Sequence, residues 1–166
     1  MVSADKIKEL RSLTSAGVMD CKKALLETKG DIQAAIQVLR DQGWSKLKEK
    51  SNRATKEGMV DSYIHAQGKI GVLLEVNCET DFVAKNEDFR EFVHNLALHV
   101  AASNPLFVSA EETKASDSPP EDAALLEQTY VKNPEIKVKD YLAEIAAKIG
   151  ENIVIKRFVR FELGKD

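Results

Sequence analysis

Two periodicities divide the chain. Up to residue 42 apolar positions recur at helical spacing: Ile7, Leu10 and Leu13, then Cys21, Ala24 and Leu25, then Ile32, Ala35, Ile36 and Leu39. "TSAGV" breaks the first run, and Gly17 is expected to take a positive φ there. Gly30 ends the second helix, Asp31 is placed to cap the third, and Gly43 is expected to stop it. Three short helices enclose a very small core, which suits a docking module (1–42) better than a free-standing domain. Residues 43–57 hold "WSKLKEKSNRATKE", a charged stretch that reads as a linker. From residue 58 the period becomes two. Val60, Ser62, Ile64 and Ala66 alternate with Asp61, Tyr63, His65 and Gln67; "QGK" turns the chain at Gly68; Val72, Leu74, Val76 and Cys78 share one face of the return strand, and Leu73, Glu75 and Asn77 the other.

Helical spacing returns at 87–102 through Phe89, Val93, Leu96, Ala97 and Val100, with Asn86 as cap and a break at Asn104-Pro105. Pro119-Pro120 predicts a helix start leading into "EDAALLEQTYV", about 119–131. A last helix, 138–149, uses Val138, Leu142, Ile145 and Ile149 and ends at Gly150. Ile153, Ile155, Val159, Phe161 and Leu163 then alternate as a terminal strand, with Arg157 as the exception. The predicted class is α+β: a three-helix module, then a core domain (58–166) in which a small antiparallel three-stranded sheet packs with helices.

Composition narrows the function. The net charge is −3, which argues against a general nucleic-acid coat and predicts no direct nucleic-acid partner. No run approaches the roughly 18 apolar residues of a membrane span. The N-terminus has no apolar stretch of the secretory kind. The two cysteines, Cys21 and Cys78, lack framework spacing and read as reduced thiols, which predicts a cytoplasmic protein. There is no phosphate-cradling loop, no GxSxG, no HExxH and no CxxC, and His65, His94 and His99 are not spaced to share a metal. The expectation is a binding protein without catalytic residues, cofactor or metal site.

One stretch stands out against that background. In "CETDFVAKN" the polar pair Thr80-Asp81 is followed at once by Phe82, at a corner between strand and helix. A large ring in a connection either folds back onto its own core or serves as an anchor for another molecule. The residues alone leave both open.

Three ordered segments carry a resemblance. "LRSLTSAGVMDCKKALLETKGDIQAAIQVLR", "LEVNCETDFVAKN" and "AAKIGENIVIKR" resemble signatures of the elongation factor Ts family, the guanine-nucleotide exchange factors for elongation factor Tu. The resemblance implies an N-terminal module like ubiquitin-associated domains, followed by an α/β core. It implies that Asp81 and Phe82 insert between two helices of the GTP-binding domain of elongation factor Tu in its GDP form, with Thr80 and Val83 beside them as partner-binding residues and Ile149 and Gly150 flanking the insertion. It implies a second contact from Arg11, Val18 and Met19; the alternative for Val18 and Met19 is to complete the small helical core. Long members carry two related core subdomains and a helical hairpin. This chain is shorter, so contacts made by those extra parts do not carry over. A single small sheet leaves apolar surface in need of a mate, expected around Tyr63, Leu73, Val154 and Phe158. A homodimer is the predicted solution; the competing one is a monomer whose helices, 119–131 among them, cover that face. Two rival functions are a ubiquitin-type adaptor using the three-helix module and a ribosome- or RNA-binding adaptor using the basic linker.

Overall fold

The computed structural model describes residues 2–112 and 123–165. The first unit comprises α1 (Ala4–Thr14), α2 (Val18–Glu27) and α3 (Ile32–Glu49). Ser3 caps α1 by accepting from the Lys6 amide, and Asp31 caps α3 by accepting from the Ala34 amide. Leu10, Cys21, Ala24, Leu25 and Ala35 bury completely against one another. The left-handed residue between α1 and α2 is Ser15, at φ 55°. Gly17 instead takes an extended N-cap conformation at φ −61°, so the expected positive φ falls two residues earlier.

Gly43 does not end α3. The helix continues to Glu49, and its last turns place Leu47 and Trp44 in the second, larger core. At Gly43 α3 crosses α6 (Val138–Ile149). A Cβ at residue 43 would lie 3.4 Å from the Ala143 carbonyl oxygen and 3.6 Å from the Ala143 Cβ. Both are ordinary van der Waals distances, so the crossing does not demand a glycine; a mid-helix glycine costs about 1 kcal/mol in propensity, and the packing of Trp44 and Leu47 beyond it carries the helix through. Beside the crossing, Arg40 donates to Glu144 at 3.1 Å. Burial nevertheless holds the Glu144 carboxyl above its ordinary value, against the opposing pull of Arg40.

The sheet consists of β1 (Glu57–His65), β2 (Ile70–Cys78) and β3 (Val154–Glu162), in the order β1-β2-β3 with both pairs antiparallel. Ala66, Gln67 and Gly68 all have positive φ in the turn between β1 and β2. On one face Val72, Leu74, Val76 and Cys78 of β2 bury against Phe89, Phe92, Val93, Leu96, Ala97 and Val100 of α5 (Glu87–Ser103). Each larger side chain contributes about 1.5–3 kcal/mol of burial, so this face holds the sheet in place. α5 is capped by Asn86, which accepts from the Phe89 amide, and ends at left-handed Asn104.

The opposite face of the sheet is bare among the described residues. Val60, Ile64, Leu73, Val159 and Phe161 are exposed on it, around a Glu75–Arg157 ion pair at 2.7 Å. This corrects the expected patch. Tyr63 and Phe158 pack on the core side, and only Leu73 and Val154 belong to the other. The cause is a register shift at Glu75/Val76, where Val76 pairs with Ile155 and Glu75 with Arg157. The extra residue inverts the phase of β3 partway along.

The predicted helix at 119–131 is also corrected. Its first part lies outside the described residues. From Ala123 onward there is a single 3-10 turn, Leu125–Glu127. The backbone donors there are already engaged: the Leu125 amide bonds to the Phe107 carbonyl at 2.8 Å and the Leu126 amide to that of Val108 at 3.1 Å. The stretch sends Leu125 and Tyr130 into the main core, away from the bare face. Buried His99 anchors it, with Nε2 2.9 Å from Gln128 Oε1 and Nδ1 accepting from the Val131 amide at 3.2 Å. Burial lowers the pKa of His99, in keeping with a neutral ring that serves both partners.

Candidate functional site

The corner after β2 is a one-turn helix, α4 (Asp81–Ala84), capped by Thr80, whose Oγ1 accepts from the Val83 amide at 3.4 Å. Successive helical residues are rotated by about 100°. Val83 and Ala84 pack against the main core, so the preceding side chain is turned outward. Phe82 is accordingly 82% exposed. The ring does not fold back onto its own protein. Beside it Asp81 pairs with Lys85 at 2.8 Å, and the ammonium of Lys85 lowers the pKa of this exposed carboxyl.

The corner is tied from behind to the turn between α6 and β3. α6 ends at Gly150 in the left-handed conformation, φ 85°, with half-buried Ile149 packed on the core. The Glu151 carboxylate then reaches across. Its Oε2 accepts the Glu79 and Thr80 amides at 3.0 and 3.1 Å, and its Oε1 accepts the Thr80 hydroxyl at 2.6 Å. In return, Glu79 Oε1 accepts the Asn152 amide at 2.6 Å. The tail of α3 joins the same junction: Lys50 donates to the Gly150 carbonyl at 2.7 Å, and the Arg53 guanidinium lies 3.5 Å from Glu79. Beneath the corner, buried Cys78 donates to the Thr80 carbonyl at 3.2 Å. Burial first, and then the charge of Glu151, push this thiol up to about 11, so it stays a packing residue and weak donor.

The candidate residues therefore fall into two groups. Thr80, Asp81, Phe82 and Val83 share α4 and its cap, and the Glu79–Glu151 exchange brings them to Ile149 and Gly150. Arg11, Val18 and Met19 lie apart in the helical unit. Val18 and Met19 open α2 and are exposed, while Cys21, Ala24 and Leu25 take its inner face; they do not complete the small core. Arg11, in the last turn of α1, lines a cleft of about 470 Å³ between the helical unit and α6, whose far wall includes Lys148 and Glu151. Phe82, Val18 and Met19 stand outside that cleft. Sequence reasoning missed Glu79, Glu151 and Lys50. Their partners lie 70 or more residues away, and no local spacing marks such a pair. Among the described residues no cluster of three or more His, Cys, Asp or Glu is arranged to hold a metal ion. No described helix is long and apolar enough to cross a membrane.

Residues 3–121 match the family model described as Elongation factor TS. The chain is 44% identical to the Elongation factor Ts of Thermoanaerobacter sp. (strain X514), over 99% of this chain and 96% of that protein. It is 46% identical to that of Desulfosudis oleivorans (strain DSM 6200 / JCM 39069 / Hxd3), over 99% and 98%, and 47% identical to that of Geobacter sp. (strain M21), over 99% and 90%. The first of these alignments spans 196 positions against the 166 residues of this chain. At least 30 positions of that relative thus have no counterpart here.

Proposed function

From the premise that this chain belongs to the elongation factor Ts family and is a translation elongation factor, we propose that it binds the GDP form of elongation factor Tu and speeds release of the nucleotide. The observation that carries this reading is Phe82: a large apolar ring, 82% exposed, on a helical turn that is fastened from behind. Asp81 and Phe82 enter between helices of the partner's GTP-binding domain. Thr80 and Val83 shape the turn, and Ile149 and Gly150 flank it. Displacing helices behind the phosphate and Mg²⁺ site weakens the hold on both. The coupling is reciprocal, so bound GDP weakens the factor's own affinity by the same ratio, and the ternary complex is a transient intermediate. No bond is made or broken in the factor, which needs no cofactor and acts in the cytoplasm.

Residues 1–42 form the docking module in this proposal, with exposed Val18 and Met19 as the apolar contact and Arg11 as the charged one. The test is stopped-flow release of fluorescent GDP from elongation factor Tu. Release is expected to accelerate with factor concentration and to saturate. No acceleration at micromolar factor would sink the reading. Capture of ubiquitin, or salt-sensitive RNA binding, in place of elongation factor Tu would favour an adaptor instead.

We further propose that two copies pair through the bare sheet face. Val60, Ile64, Leu73, Val159 and Phe161 form an apolar surface that no described segment covers, and a twofold arrangement buries it against itself. Light scattering after gel filtration is expected to give twice the chain mass at tens of micromolar, and Leu73→Glu is expected to return the monomer. A monomer at that concentration with full exchange activity would show that one core suffices.

A further inference from the structure

Reciprocal carboxylate bonds lie directly behind α4. We infer that Glu151 is a positioning residue for exchange: it holds the Phe82-bearing turn against the Ile149–Gly150 turn without itself touching the partner. The inference rests on the proposed insertion of Phe82.

The geometry is specific to this task. A single helical turn has too few internal bonds to be rigid. Within α4 the Ala84 and Lys85 amides bond to Thr80 and Asp81 carbonyls at 3.2 Å, and the Thr80 cap bond is long at 3.4 Å. Packing of Val83 and Ala84 sets which side of the turn faces outward, but nothing in that set ties the turn to the neighbouring Ile149–Gly150 turn. Glu151 supplies that tie. One carboxylate accepts two consecutive amides, Glu79 and Thr80, and the Thr80 hydroxyl. These are the last backbone donors before the helix and its capping side chain. A charged acceptor strengthens such bonds, and the one from the Thr80 hydroxyl is short, at 2.6 Å. Glu79 returns the bond to the Asn152 amide, so the two turns cannot shift independently. The same Thr80 oxygen that Glu151 holds also caps Val83, which places Glu151 one bond behind the residue next to Phe82. Holding an anchor in its bound orientation before contact removes an ordering cost from the encounter. Misplacing it costs rate even when every contacting residue is intact.

The test is GDP release by the full chain at a series of factor concentrations, for Glu151→Ala, Glu151→Gln, Phe82→Ala and the Glu151→Ala/Phe82→Ala double variant. Glu151→Ala is expected to lower the maximal release rate roughly tenfold, with the half-saturating concentration within about twofold of wild type because the docking module is untouched. Glu151→Gln keeps an acceptor for the amides and is expected to recover most of the rate. In the Phe82→Ala background the loss of Glu151 is expected to add less than about twofold, since there is no ring left to position. Hydrogen exchange supplies an independent signature: the Glu79 and Thr80 amides lose protection in Glu151→Ala and keep it in Phe82→Ala. Should Glu151→Ala fold poorly, Glu79→Ala opens the same exchange from the other side and is expected to repeat the rate loss.

A full maximal rate in Glu151→Ala would overturn the inference. So would a loss that multiplies onto that of Phe82→Ala, since Glu151 would then act on the partner directly. A Phe82→Ala protein as active as wild type would overturn the insertion itself, and the positioning role with it.

Discussion

Phe82→Ala is expected to lower the rate of GDP release from elongation factor Tu by one to two orders of magnitude and to leave the factor folded. The two halves of that result have separate causes. In the free protein the ring is 82% exposed, so truncation removes almost no burial, and changes of this kind stay within about 0.5 kcal/mol of stability. In the proposed complex the same ring becomes a buried anchor, worth about 1.5–3 kcal/mol, and each 1.4 kcal/mol is a factor of about ten. Asp81→Ala should follow in the same direction with a smaller effect, because Asp81 must first leave Lys85, 2.8 Å away. Stopped-flow release and a thermal melt of the same sample check both halves. A melt that collapses, or a release rate within about twofold of wild type, would show that the ring serves the fold rather than the partner.

The largest expected effect on stability lies at the start of β1. Gly58 has φ 144° and pairs with Asn77. A Cβ there would fall 2.2 Å from the Val76 carbonyl oxygen and 2.7 Å from the Asn77 Cα. Both are backbone atoms of the central strand and cannot swing aside. Gly58→Ala is therefore expected to cost about 3 kcal/mol or more, or roughly 6–12 °C in Tm for a chain of this size. Gly68→Ala is the control. Gly68 also has positive φ, 87°, but nothing lies within 4 Å of its added Cβ. Its cost is the conformational one alone, about 1–2 kcal/mol. Equal melting points for the two variants would mean that close approach of β1 to β2 contributes nothing.

Most of the architecture was legible because local chemistry and burial agree. Asp31 and Asn86 cap the helices they precede, Gly150 ends α6, and alternate residues of β2 face the core. What was not legible depends on residues distant in sequence. Gly43 reads as a stop until Trp44 and Leu47 are seen packed in the larger core beyond it. The alternation in β3 reads as one face until the shift against Glu75/Val76 splits it, leaving Ile155 inside and Val159 and Phe161 outside. Ala123–Val131 looks helical by composition, yet its Leu125 and Leu126 amides bond to the carbonyls of residues 107 and 108. At the corner, "TDF" announces an anomaly, and its outward direction follows from Val83 and Ala84 packing inward. The carboxylate that fastens it, from Glu151, carries no local mark.

The continuity of α3 bears on the strength of association. One helix of 18 residues belongs to both cores, and at about 1.5 Å per residue it is a stiff rod of about 27 Å. For a partner that meets the three-helix module and the Phe82 corner together, the factor is then a bivalent ligand on a rigid spacer. Engagement of either end presents the other at a fixed separation, and the effective concentration of the second contact is set by fit rather than by the statistics of a flexible tether. Such a spacer is unforgiving: a partner whose two sites match the span gains the full avidity, and one whose sites are displaced by a few ångströms gains none.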